Sequence, residues 1–122
     1  YVKNGIAGML ENVPREKLIG GVPFYTRLWT EVGDGTITSK AMGIAEEKRW
    51  VDNNQVELTW QADTAQYYGE VQTSDGAQFL WMEEERSLKE KMNVIRQNDL
   101  AGVACWKLGF EDSAAWDSIQ WD

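Results

Sequence analysis

The 122-residue chain contains no histidine. That removes His-based triads, histidine general bases and most zinc sites together. Any chemistry must fall to carboxylates, tyrosine or lysine. There is one cysteine, Cys105, so no internal disulfide exists. It lies in the apolar run "AGVACW" and reads as a buried, inert thiol rather than a nucleophile. Cations are few, with 12 Lys+Arg against 20 Asp+Glu and a formal charge of -8. An acidic surface is repelled by nucleic-acid backbones and anionic membranes, so neither is an expected partner. No apolar run approaches the ~20 residues that span a bilayer. The start, "YVKNGIAGML", carries no signal-peptide cleavage pattern. Proline occurs twice.

What is abundant is tryptophan, seven residues, with four tyrosines. Flat rings serve packing, and they also stack on the apolar C–H faces of sugars. Several sit in "GGVPFYTRLW" (20–29), where a small apolar strand runs into two aromatics, a threonine, an arginine and a tryptophan.

Periodicity supplies the elements. Residues 5–12 form the end of an amphipathic helix with Ile6, Met9 and Leu10 on one side, stopped at Pro14. The continuous run 17–25 predicts a strand covered on both faces, as in parallel sheets, with Gly20 and Gly21 permitting close approach. Residues 30–40 read as loop, with Gly33, Asp34 and Gly35 as a turn. Ser39 is the expected cap of a helix over 40–52 that uses Met42, Ile44, Ala45 and Trp50 as contacts. Strands at 56–60, 65–72 and 77–83, the last two joined by "TSDG", make an antiparallel meander.

"EEERSLKEKMNVIRQN" (83–98) is a helix with Leu88, Met92 and Ile95 on its apolar side. Its three leading glutamates suit the positive end of the helix dipole better than a metal. A second buried strand spans 100–108, and a short helix, capped by Asp112 or Ser113, spans 111–121. The two buried strands, separated by an insertion and a helix, imply a parallel crossover. The expected fold class is α/β, a piece of a (β/α)8 barrel with an inserted α+β unit. A complete barrel needs about 250 residues, and two of its strands are visible here.

Three stretches, "EKLIGGVPFYTRLW", "LTWQADTAQYY" and "LWMEEERSLKEKMNVIRQNDLAGVACWKLGFED", occur in the order found in glycoside hydrolase family 18. The chain resembles the bacterial, chitinase-like branch that includes spore-cortex peptidoglycan lysins and LysM-linked N-acetylglucosaminidases. The resemblance implies that 17–25 is the seventh barrel strand and 101–106 the eighth. Residues 1–26 and 83–122 would then be a partial barrel segment, and 27–82 a chitinase insertion domain forming one cleft wall.

The family's DxxDxDxE signature and its sixth-strand M-x-Y-D motif are both absent, which makes this chain resemble the C-terminal third of such an enzyme. No catalytic residue is therefore assigned, and turnover by this chain alone is not expected. In the parent, the resemblance implies substrate-assisted, retaining hydrolysis of β-1,4-linked N-acetylglucosamine glycans, in peptidoglycan or chitin. It implies no cofactor and no metal. It implies an extracellular setting, at a bacterial cell wall or spore coat.

Substrate-binding residues follow from the same resemblance. Trp106 would be the floor under the sugar, its alternative being a core tryptophan at a strand end. Tyr25 and Arg27 would hydrogen-bond hydroxyls or the acetamide, while Arg27 also suits a solvated or ion-paired cation. Trp29 and Trp60 would line the cleft wall or pack the insertion. Glu111 would reach the cleft or cap the next helix. A rival from another class is a non-catalytic carbohydrate-binding or interaction module, supported by the missing signature and the aromatic load. With two barrel strands only, sheet edges are unpaired, so the isolated chain is expected to self-associate or to order only its insertion.

Overall fold

The computed structural model describes residues 1–121. It is an α/β structure with a two-stranded parallel sheet and a five-stranded antiparallel sheet. Helix α1 (Val2–Leu10) leads through a single 3-10 turn at Arg15–Lys17 into β1 (Ile19–Pro23). Next come β2 (Tyr25–Glu31), β3 (Ile37–Gly43), α2 (Ile44–Asn53), β4 (Thr59–Gln61), β5 (Gln66–Thr73) and β6 (Gly76–Trp81). Helix α3 (Glu85–Gln97), β7 (Gly102–Trp106) and α4 (Ser113–Ser118) follow. No helix among the described residues is long and apolar enough to cross a membrane.

Strands β1 and β7 are parallel, with Ile19 opposite Gly102 and Pro23 opposite Trp106. The ladder runs one step further, because Phe24 N–H donates to the Trp106 carbonyl at 2.7 Å. One face of this pair is sealed. Val22, Phe24, Leu88, Met92, Ile95 and Leu100 are buried together, joined by Ile6 from α1 and Ala115 from α4. Apolar spacing on α3 thus does what its periodicity implies. The glycines divide: a Cβ on Gly20 would lie 2.5 Å from Ile95 Cδ1, whereas one on Gly21 would meet nothing within 4 Å.

That difference marks a correction. The strand expected to be covered on both faces is covered on one. Ile19 is 59% exposed and Gly21 is exposed, because α1, α3 and α4 all pack on the same side. Cys105 is half-buried rather than buried, and partial burial pushes its thiol pKa up, which keeps it unreactive.

The antiparallel sheet has the order β3-β2-β6-β5-β4. Two expectations fail at its edge. Residues 30–40 are not a loop: β2 and β3 form a hairpin pairing Tyr25 with Gly43 through to Glu31 with Ile37. The turn is where Gly33, Asp34 and Gly35 put it, with Asp34 Oδ1 accepting from Thr36 N–H at 2.8 Å. Ser39 consequently sits inside a strand, and α2 starts at Ile44 behind Gly43, which offers no side-chain cap. The β-rich run "ITSKAMG" pairs with β2 along its full length, and that pairing overrides local helix signals.

The meander is as expected, with Thr73 opposite Gly76 at the hairpin. Gly76 has φ +128, and a Cβ there would approach the Glu31 carbonyl to 2.2 Å, so glycine is required. Leu28, Met42, Leu80 and Met82 fill the face under α2, with Trp50 and Tyr67 against them.

Two junctions hold the sheets together. Phe110, in the loop after β7, accepts from Ile44 N–H at 2.7 Å, and its backbone lies 3.0 Å from where a Gly43 Cβ would be. Lys48 on α2 bridges Glu85 and Asp112, each at 2.6 Å. Asp112 also caps α4, accepting from Ala115 N–H at 2.9 Å, as its position in the sequence implies.

Candidate functional site

The C-terminal ends of β1 and β7 are adjacent because the strands are parallel and in register. Trp106 ends β7 and Pro23 ends β1; two residues on, Tyr25 opens β2. The three border a shallow hollow of about 390 Å³, which Gly21, Ala104 and Cys105 also line. Trp106 is 67% exposed, so its indole is not part of a core. The peptide that joins it to Lys107 is cis. Tyr25 packs on Phe110 with ring centroids 6.2 Å apart.

Tyr25 and Pro23 also border a second hollow of about 310 Å³, lined by Arg27, Trp29, Gln66, Trp81 and Glu83. Arg27 is exposed, and its guanidinium is aimed by Ser39: Nε donates to the hydroxyl at 2.9 Å and Nη2 to the carbonyl at 3.4 Å. Among the described residues it makes no ion pair with a carboxylate. Trp29 is half-buried beside it. Four of the five residues expected to bind substrate therefore converge on two hollows that share Tyr25.

Trp60 does not join them. It lies on the three-residue strand β4, stacked edge-on to Tyr67 at 5.0 Å, with the Arg86 guanidinium over its ring at 3.7 Å. Glu111 folds back on its own loop, accepting from Gly109 N–H at 2.7 Å.

Three lining residues escaped the sequence reading: Trp81, Gln66 and Glu83. Trp81 donates from Nε1 to Gln61 Oε1 at 2.9 Å, and its carbonyl accepts from the buried Thr26 hydroxyl, which ties β2 to β6. The "TSDG" turn fixes the β5–β6 register and so puts Trp81 opposite Tyr68. That turn was the available signal. Without β2 as a strand, nothing linked Trp81 to Arg27.

Glu83 is 1% exposed. Its carboxylate takes both contacts from Lys91 Nζ at 2.8 Å, the Ser87 hydroxyl at 2.6 Å and Gln66 Nε2 at 3.5 Å. Burial pushes its pKa up and Lys91 pulls it partly back. Glu84 is the N-cap of α3, accepting from Ser87 N–H at 2.9 Å in a capping box. The three glutamates therefore start a helix and stabilise its first turn. The arrangement offers flat rings, one fixed cation and hydrogen-bonding amides around a shallow, open recess. Glu83, the carboxylate that borders the second hollow, is held by Lys91 and Ser87.

Three comparisons bear on what it holds. Over 117 residues the chain is 25% identical to the cortical fragment-lytic enzyme of Bacillus subtilis, covering 94% of this chain and 27% of that one. Among solved structures, the Bacillus megaterium spore cortex-lytic enzyme SleL superposes with a TM-score of 0.86 at 22% identity, over 97% of this chain and 28% of that one. A class V chitinase from Nicotiana tobaccum, in complex with NAG4, superposes with a TM-score of 0.74 at 17% identity, over 95% of this chain and 37% of that one. The chain thus spans about a third or less of these relatives. The model of glycosyl hydrolases family 18 matches residues 1–111, and the chain belongs to that family.

Proposed function

We propose that the chain forms the substrate cleft of a glycoside hydrolase acting on β-1,4-linked N-acetylglucosamine glycans of peptidoglycan or chitin. In this reading residues 1–26 and 83–122 are the last two strands of a (β/α)8 barrel, and 27–82 is an insertion domain that forms one wall. Trp106 is the platform beneath the sugar, and Tyr25 and Arg27 hold its polar substituents. The catalytic acid comes from elsewhere in the parent, and the substrate's own acetamide attacks the anomeric carbon. The cortex-lytic relatives and the tobacco chitinase's NAG4 support this substrate class, and with it a cell-wall or spore-cortex setting. The observation that carries the reading is the meeting of Tyr25 and Trp106 at one mouth, from segments some 80 residues apart.

Titration of N-acetylglucosamine oligomers, followed by tryptophan fluorescence, tests it. Trp106→Ala removes an exposed ring, so the fold should lose no more than about 0.5 kcal/mol. Affinity should fall by about ten-fold or more, the loss of a stacked ring together with its contact area. The same preparation should leave a chromogenic chitobioside intact. Turnover by the 122-residue chain, or undiminished binding by the variant, would refute the assignment.

The bare outer surface carries a second expectation. A larger hollow, about 540 Å³, lies against β1 and α1 and is lined by Tyr1, Ile6, Met9 and Ile19. It has no titratable side chain beyond Tyr1 and suits cover rather than chemistry. Each strand of the two-stranded sheet also has one free edge. We expect light scattering to give a mass above one chain, and Ile19→Lys to lower it. A strictly monomeric wild type would show that the edges are tolerated.

A further inference from the structure

We propose that Lys48 is a positioning residue for the recess: as an ion-paired latch between the two sheets, it sets the separation of Trp106 from Arg27. This rests on the glycan-binding reading above and adds to it a residue that lines neither hollow.

The chain passes between the sheets twice, at Phe24 and at residues 82–84. The crossings are held side by side, because the Thr26 hydroxyl donates to the Trp81 carbonyl. Two tied crossings define a line about which the five-stranded sheet can tilt, so its angle depends on contacts away from that line. At the β4 edge the contact is Arg86, whose guanidinium covers Trp60 at 3.7 Å and donates to the Tyr67 hydroxyl at 3.2 Å. At the β3 edge it is α2. Ile44 N–H donates to the Phe110 carbonyl, and one turn on Lys48 Nζ meets both Glu85 and Asp112.

Lys48 thereby joins three elements. Glu85 opens α3, Asp112 caps α4, and α2 follows the strand whose Ser39 aims Arg27. Asp112 ends the loop that leaves Trp106. The side chains of Lys48 and Glu85 are 35% and 34% exposed and that of Asp112 22%, so salt can reach the bridge. Partial burial opposes charge on each group, yet the hydrogen bonds of the bridge hold the Lys48 pKa above, and those of Glu85 and Asp112 below, their ordinary values. Glu85 and Asp112 also repel each other. Loss of the ammonium therefore frees α2 and pushes the loop of Asp112 off the start of α3. The exposed pair Lys40–Glu46 joins β3 to α2 and never crosses between the sheets, which makes it the control.

The test follows N-acetylglucosamine hexamer binding by calorimetry on the 122-residue chain and its Lys48→Met, Asp112→Asn and Lys40→Met variants, at about 0.05 and about 0.5 M salt. The oligomer is neutral, so a salt response that depends on Lys48 arises in the protein. Wild-type affinity should fall about two-fold across this range as the latch is screened. Lys48→Met should bind about three-fold more weakly at low salt, and its affinity should not fall further with salt. Asp112→Asn, whose amide oxygen still caps α4, should also bind more weakly. Lys40→Met should match wild type. Residual dipolar couplings of the ligand-free chains should give one angle between the sheets in wild type and another in Lys48→Met. Wild-type affinity and salt response in both Lys48→Met and Asp112→Asn would overturn the latch, as would equal losses in Lys48→Met and Lys40→Met. Should Lys48→Met fail to fold, Asp112→Asn carries the test. Folded wild type that binds no hexamer overturns the glycan reading, and the couplings then decide alone: an angle unchanged in both variants overturns the latch as well.

Discussion

Replacing Lys91 by alanine should cost the fold about 3–5 kcal/mol, the scale of a broken buried ion pair. Its ammonium sits at 2.8 Å from both oxygens of Glu83, whose side chain is 2% exposed against 15% for Lys91. Without the ammonium, Glu83 keeps only the Ser87 hydroxyl and a long contact to Gln66. A buried carboxylate so placed must either stay charged at high cost or take up a proton. Urea denaturation at neutral pH measures the loss. The companion variant, Glu83→Gln with Lys91→Met, removes both charges and should recover most of it, because a well-filled neutral pair is near parity with an ion pair. Equal instability of single and double variants would mean that packing, not charge, explains the single one. Because Glu83 also lines the recess, ligand affinity should follow stability in this series.

Glutamine in place of Glu47 should raise stability at alkaline pH. Glu47 is fully buried on α2, and its Oε1 has no hydrogen-bond partner. Its Oε2 accepts weakly from Glu83 N–H at 3.4 Å. Burial is the main cause that pushes its pKa up to about 10; the charges of Glu83 and Glu84 add to this, and Lys48 opposes it. The folded chain thus holds a proton that the unfolded chain, with a carboxyl near 4.5, releases. Stability from this group is complete below about 4.5 and is lost as pH rises through about 10. At pH 8 the penalty is on the order of 5 kcal/mol. Glutamine removes it, at the expense of an amide N–H left without a partner, about 1–3 kcal/mol. Wild type and variant should therefore cross, wild type being favoured near pH 5 and the variant above neutrality by about 2 kcal/mol. Parallel pH profiles would show that the carboxyl is charged in the fold.

Much of the site was legible because it depends on parallel strands ending together. "LIGGVP" and "AGVACW" read as strands from their short apolar runs, though the structure covers β1 on one face only, and the helix between them carries Leu88, Met92 and Ile95 at helical spacing. That pattern alone brings Tyr25 and Trp106 to one mouth. The β2–β3 hairpin was illegible for a physical reason. Half of its residues face solvent, so "TRLWTEVGDGTITSK" shows little apolar alternation. Cross-strand pairing supplies its stability, and a pair is invisible until both members are known. Trp81 was lost with it. For Trp60 the sequence leaves cleft wall and packing of the insertion both open, because an indole in an edge strand carries no mark of which face it takes. Arg86, twenty-six positions later, covers its ring.

The contact between Gly43 and the Phe110 backbone couples the loop that follows Trp106 to the strand that holds Ser39. Phe110 is four residues past Trp106, and Gly43 ends the strand that aims Arg27 through Ser39. A single added methyl at that wedge would tilt the indole and swing the guanidinium together. The geometry of the recess is thus set in part from a position outside its lining.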